Sequence, residues 1–426
     1  MINRTQAPEI KDAVSFNLQL KPCETFTLDN GVPVYAVNAG AEEVLQIELV
    51  FYAGNHFEKQ KAVASATNAL LKNGTSTKSA FELNEHFEYY GAYCNRACYN
   101  ETAVVSLSTL SKHLSALIPV VKEMITDSVF AEEELDTFKQ NSKQRLAVNV
   151  KKSDFIAGRL IDSYVFGDDH PYGKYSNEED IDALNRVALQ DFFNTYYVKG
   201  NLVIFVSGKL PNDLAQQLNA VFGKLPLQAM KDKIAYFPVS PATTKKYFIQ
   251  NDADGVQGAI RLARQFPNRH HPDFMKVMVL NTVFGGYFGS RLMSNIREDK
   301  GYTYGIHSFV QNHLQESAWM ISTEAGKDVC TATTEEVYKE MKLLRETLID
   351  EEELLLVRNY LMGTILGDLD GPFQIMGRWK NIVLNGLTAD YFYDSIETIK
   401  NISAEELREL AKKYLEPDQF YELIVI

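Results

Sequence analysis

Cysteine is scarce in this chain: Cys23, Cys94, Cys98 and Cys330 are the only four in 426 residues, too few for a disulfide scaffold of that size. Cys94 and Cys98 lie in a stretch that reads as a strand, where four residues span about 13 Å. A disulfide needs Cα atoms within about 7 Å, so they are expected as two thiols on one strand face. Apolar runs of the ~18–20 residues that span a bilayer are missing. Met1–Phe16 has no uninterrupted apolar core of the signal-peptide kind. Together these lead to the expectation of a soluble, cytoplasmic chain with no membrane partner. Positive charge is also short, 43 Lys and Arg against 56 Asp and Glu for a formal net charge of −13, and such a balance repels nucleic acid and anionic lipid.

What is present is an order of elements that occurs twice. Val34–Asn38 and Val44–Tyr52 read as strands, Lys61–Lys72 and Ala80–Tyr90 as helices, and Ala92–Cys98 and Thr102–Thr109 as strands again. Long helical stretches follow at Ser111–Ser128 and Glu132–Asn149, with a closing strand at Leu202–Ser207. The second half repeats the order with strands at Tyr247–Gln250 and Val256–Gln265, helices at His271–Val283 and Ser290–Asp299, strands at Thr303–Gln311 and Ser317–Thr323, and a closing strand at Gln419–Ile426. Glu132-Glu133-Glu134-Leu135 is echoed by Glu351-Glu352-Glu353-Leu354, 219 residues on (351 − 132). Each cluster is expected to open a long amphipathic helix, where carboxylates suit the positive end of the helix dipole. The predicted fold class is α+β, with two homologous domains, each a mainly antiparallel sheet covered by helices. Domain one is placed at 1–222 and domain two at 246–426. The linker at 223–245 carries Pro226, Pro238 and Pro241.

Ala53-Gly54-Asn55-His56-Phe57-Glu58 and Asn73-Gly74-Thr75 are similar to the frame that surrounds the inverted zinc motif H-x-x-E-H of the pitrilysin/insulinase family of zinc metallopeptidases. In that motif two histidines one helical turn apart bind zinc, and the glutamate between them is the general base. On this frame the motif positions are Ser65, Asn68 and Ala69. Alanine offers no ligand, serine is a poor neutral one, and asparagine cannot accept the proton. The resemblance implies a third ligand on the following long helix, yet the stretch from Phe138 through Arg145 to Ser153 contains no carboxylate. No metal is therefore expected in this chain. Glu82-x-x-Glu85-His86 imitates the motif with one histidine missing and reads as a solvated helix face. Gly91–Ala97 followed by Glu101-Thr102 resembles the family's edge strand, which implies that Tyr93, Cys94, Asn95, Arg96 and Ala97 either pair with a peptide substrate or simply close the sheet. Phe166–Gly173 resembles a further family stretch and reads as a structural turn, in which His170 has a capping or packing role, with a ligand role as the alternative.

The second half carries Gly285-Gly286-Tyr287-Phe288-Gly289-Ser290-Arg291-Leu292 and Ile296-Arg297-Glu298-Asp299-Lys300-Gly301-Tyr302-Thr303-Tyr304, similar to the family's second signature. The resemblance implies that Arg297 and Tyr304, seven apart, serve an active site, the tyrosine hydroxyl donating to an oxyanion and the arginine fork holding carbonyls or a carboxylate. It further implies half of a clam-shell: a zinc-less subunit, of the kind found in the mitochondrial processing peptidase, that acts in trans beside a zinc-bearing family partner on peptides or unfolded protein. A homodimer is open to the chain in isolation. The alternative is a structural or peptide-holding pseudo-peptidase with no catalytic role, like the family's core subunits in a respiratory complex. A hydrolase with another metal site would draw on His270, His271 or His307.

Overall fold

The structure is a computed structural model and describes residues 12–230 and 234–426. Residues 1–11 of the stretch read for a signal segment, and 231–233 within the predicted linker, lie outside the described residues. The strands are β1 Glu24–Thr27, β2 Pro33–Asn38, β3 Val44–Phe51, β4 Tyr93–Cys98, β5 Ala103–Leu110, β6 Leu202–Gly208, β7 Lys246–Ile249, β8 Gln257–Phe266, β9 Thr303–Asn312, β10 Ser317–Gly326 and β11 Tyr421–Val425. The helices of the first half are α1 Val63–Leu70, α2 Ala80–Tyr89, α3 Leu114–Asp127, α4 Glu132–Asn149, α5 Ser153–Phe166, α6 Glu178–Asp182, α7 Arg186–Phe193 and α8 Leu214–Phe222. Those of the second are α9 Phe274–Asn281, α10 Cys330–Glu346, α11 Glu351–Gly367, α12 Pro372–Leu384, α13 Asp390–Asn401 and α14 Ala404–Tyr414.

Two sheets form, in the orders β1-β2-β6-β3-β5-β4 and β7-β11-β8-β10-β9. Leaving β1 aside, the orders correspond strand for strand. In each, the closing strand (β6 or β11) slots in parallel beside the first strand and antiparallel to the next. β1 is an addition that the sequence patterns did not reveal; four residues with no buried member carry no apolar periodicity to read.

All seven residues of β6 are buried, so this strand is covered on both faces. Leu202, Ile204 and Val206 join the apolar cluster of the first half's own helices, with Leu117 and Val121 of α3 and Leu218 of α8. Val203 and Phe205 point the other way, into the second half's cluster with Ile375, Met376 and Ile382 of α12. The second sheet returns the arrangement. Its outer face presents Ala259, Ala263, Ala318, Leu423 and Val425 to Ala157, Ile161, Val165 and Phe166 of α5; the three alanines let the helix approach closely. Each half therefore lends a helix to the other's sheet. Lys380 of α12 pairs with Glu48 of β3 at 2.7 Å, and Arg261 of β8 with Asp154 of α5.

α4 departs from the expected amphipathic pattern: Leu135 is its only buried side chain. One side of it, with Phe138, Asn141, Gln144 and Arg145, lines a cavity, while Lys139 and Lys143 reach Asp182 of α6. The predicted helix His271–Val283 starts at Phe274, and Ser290–Asp299 widens into a π-type turn over Met293–Asp299.

Hairpin tips of both sheets meet at a buried polar junction. Glu101, between β4 and β5, accepts hydrogen bonds from the Tyr172 hydroxyl and from the Leu314 amide of the β9–β10 hairpin, the latter at 3.0 Å. His170 holds its turn by accepting from the Tyr172 amide at Nδ1, with Nε2 against the Phe237 carbonyl, a packing role. His313 stacks on Tyr172 at 4.0 Å, its Nδ1 is 3.1 Å from Asn100, and its Nε2 is buried without a partner. Desolvation pushes it down from 6.5 to about 4. Between those values the unfolded chain binds the proton and the folded one refuses it, so this stability is present at pH 7 and is lost as pH falls through the window. We expect the wild type to lose up to ~3 kcal/mol more than His313→Gln between pH 7 and pH 4, read from urea midpoints. Parallel profiles of the two proteins would show that His313 titrates normally.

Candidate functional site

The first site is built on α1. Its N-terminus is held by Glu58, which accepts from the Ala64 amide at 3.1 Å and pairs with Lys174 at 3.1 Å. Ser65 is exposed, its hydroxyl donating back to the Ala62 carbonyl. Asn68 is 2% exposed; its amide donates to the Tyr197 hydroxyl at 3.1 Å and the Val104 carbonyl at 3.5 Å, which fastens the helix to the sheet. The second half uses Asn281 of α9 the same way, donating to the Ser308 carbonyl of β9 at 3.0 Å. Ala69 opens onto a cavity of about 560 Å3 whose far wall is α4, with Phe138, Asn141, Gln144 and Arg145.

The cavity between α1 and α4 is lined by a methyl group, amides, a guanidinium and a single carboxylate, Glu134. Zinc requires three or four lone-pair donors of the His, Cys or carboxylate type. Among the described residues, no group of three such side chains could hold a metal ion, so the residues present do not fit the metal. Of the histidines considered for another metal site, His270 Nε2 lies 2.8 Å from the Asn385 carbonyl and His271 Nδ1 accepts from the Asp273 amide, while His307 is exposed on β9. Glu82 forms a capping box with Ser79, and His86 contacts the Ala116 carbonyl.

β4 is the outermost strand of the first sheet and pairs only with β5. Its other edge is open among the described residues. Tyr93 and Asn95 are exposed, whereas Cys94 is buried and Arg96 and Cys98 are half-buried on the helix side. Burial pushes the Cys94 thiol up to about 11 and Cys98 to about 12, so both stay protonated and inert near neutral pH.

The second site is built on the segment leading into β9. Arg291 makes a two-pronged contact with Glu353 at 2.8 and 2.7 Å, and Asn295 donates to Glu340 at 2.7 Å and Glu336 at 3.2 Å. These bonds clamp the π-type turn to α10 and α11. The equivalent residue of the other acidic cluster, Glu134, accepts from Asn73 at 2.6 Å, so the echoed motif tethers the segment after α1 or α9 in both halves. Gly301, at φ +65°, then turns the chain into β9. Arg297 and Tyr304 come together: the guanidinium lies 5.9 Å from the Tyr304 ring and 4.5 Å from Phe288. Tyr304 is 94% exposed on the edge strand of the second sheet. Arg297 makes no ion pair among the described residues. Phe288 was missed as a site residue; its only sequence signal is an aromatic in a glycine-rich turn.

The insulinase (peptidase family M16) model matches residues 34–168, and the peptidase M16 inactive-domain model matches residues 183–361. The chain belongs to the M16 family. M16 relatives include the uncharacterized zinc protease YmxG of Bacillus subtilis, 24% identical over 406 residues, which are 94% of this chain and 97% of that protein. Mitochondrial-processing peptidase subunit beta of Bos taurus is 22% identical over 411 residues, 91% and 81% of the two chains. The crystal structure of an M16 inactive domain from Pseudomonas fluorescens superposes with a TM-score of 0.85 at 24% identity, covering 95% of this chain and 98% of that one. The M16 fold thus extends over nearly the whole molecule, and no described helix is long and apolar enough to cross a membrane.

Proposed function

We propose that this chain is the zinc-less subunit of a two-chain M16 peptidase. In that role it binds extended peptide and supplies Arg297 and Tyr304 to the active site of a zinc-bearing partner, the two chains closing as a clam-shell. The observation that carries this reading is an exposed Tyr304 beside an unpaired Arg297, in a molecule whose own cavity offers no ligand set. Both groups are suited to developing negative charge, the hydroxyl as a hydrogen-bond donor and the guanidinium as a planar fork. The partner's zinc would supply the activated water. The Tyr304 hydroxyl donates to the carbonyl oxygen as it gains charge, and the Arg297 fork holds a neighbouring carbonyl or a terminal carboxylate. β4, open along one edge, accepts the peptide backbone as an added strand.

The test purifies this chain and a zinc-bearing M16 chain from the same source, then measures peptide hydrolysis alone and mixed. Activity is expected only, or far more strongly, in the mixture, and elemental analysis of this chain should find well below one zinc per molecule. Stoichiometric zinc here, or a mixture no faster than the partner alone, would overturn the proposal and favour a structural role.

Phe288 bears on the same site. A ring stacked on a partly exposed guanidinium contributes about 0.5–1 kcal/mol, so Phe288→Ala should lower kcat/KM of the mixture by roughly two- to five-fold. Phe288→Tyr should retain the wild-type rate; equal loss in both variants would mean that stacking is not what positions Arg297.

A further inference from the structure

Around α1 lie cations without counterions, in a chain whose net charge is −13. Arg96, on the helix side of β4, makes no hydrogen bond or ion pair among the described residues, and its Nε is buried without a partner. Lys72, just beyond α1, is near enough for the two cations to repel; its amine sits 5.1 Å from the Phe87 ring, and the acid acting on it is Glu88, without a direct ion pair. Arg145, in the wall of the cavity below Ala69, donates only to the Ser142 hydroxyl at 3.3 Å. The one carboxylate lining that cavity, Glu134, is engaged by Asn73. A half-buried guanidinium with no acceptor is costly in isolation and strongly favourable once a carboxylate reaches it.

We propose that the edge of β4 selects extended peptides carrying an acidic side chain, which Arg96, supported by Lys72, receives on the helix side of the added strand. This rests on the peptide-binding part of the subunit reading and names its substrate class. The geometry follows from strand pairing. A peptide hydrogen-bonded to the free edge of β4 places every second side chain on the face that carries Cys94, Arg96 and Cys98. A residue directly opposite Arg96 has its Cβ about 5 Å away, within reach of a salt bridge. A lysine or arginine in that place would meet two like charges.

The experiment measures fluorescence anisotropy of the intact chain with two labelled ten-residue peptides of Thr and Val, identical except for one central Glu or Gln. At low salt the Glu peptide is expected to bind roughly five- to ten-fold more tightly. The gap should narrow several-fold at ~0.5 M NaCl and vanish in Arg96→Gln, while Lys112→Gln on the exposed surface keeps it. Equal affinities for the two peptides, or a gap that survives in Arg96→Gln, would overturn the proposal. If Arg96→Gln fails to fold, the wild-type comparison of Glu with Gln still decides. Equal binding of both peptides would leave the subunit reading intact, since that stands or falls on hydrolysis by the mixed chains. Binding of neither would remove the β4 site itself.

Discussion

Tyr304→Phe should lower kcat of the mixed peptidase by roughly 10²–10³-fold with little change in KM, the magnitude found when a single oxyanion donor is removed. The substitution deletes one hydroxyl and keeps the ring beside the Arg297 guanidinium, so the site's packing survives. At 94% exposure the residue has almost no burial to lose, and the melting temperature of the chain should not move. Arg297→Ala is expected to act differently. It removes a group that holds ground state and transition state alike, so KM should rise with little change in kcat. Steady-state kinetics of the mixture with each variant separates the two roles. Wild-type rates in Tyr304→Phe, with zinc loading of the partner verified, would sink the assignment of Tyr304 as donor.

The second large effect concerns stability. Phe166 ends α5 in the first half, yet it is fully buried in the layer formed with Ala259, Ala263 and Met320 of the second sheet, and it meets the His313 ring edge-on at 5.7 Å. Phe166→Ala should cost about 3–5 kcal/mol. The loss should be visible from the far side of the linker. Both tryptophans lie in the second half, and Trp319 is fully buried, donating to Asn281 and Ser308 at 2.8 Å. If the exchanged helices make the halves one cooperative unit, tryptophan fluorescence and helical circular dichroism will shift together to a lower midpoint. A circular-dichroism midpoint that falls while the fluorescence midpoint stays would mean that the halves unfold separately.

Much of the candidate site was legible in the sequence because its information is local. Ser65, Asn68 and Ala69 lie within about one helical turn, and Arg297 and Tyr304 are seven positions apart across a glycine turn, so the family frame was enough to name them. Phe288 and Arg145 were not legible as partners. Phe288 meets Arg297 only because Arg291 and Asn295 clamp the wide turn onto α10 and α11. Arg145 shares a cavity with Ala69 because α4 buries Leu135 and leaves a polar face to that space. The weak apolar pattern of α4 was itself a signal, since a helix with one buried residue borders a space rather than a core.

By itself the sequence determined the order of elements in two like halves, which follows from periodicity and residue chemistry acting over a few residues; the altered zinc positions and the Arg297–Tyr304 pair were implied only by the family resemblance. The tertiary structure alone decided which sheet each helix covers and that, among the described residues, β4 keeps a free edge and Arg96 stands there without an acceptor. An apolar face reports that it will be buried but not against what; α5 and α12 cross to the other half's sheet because that is where complementary faces, small alanines in one case and Val203 with Phe205 in the other, remained to be covered.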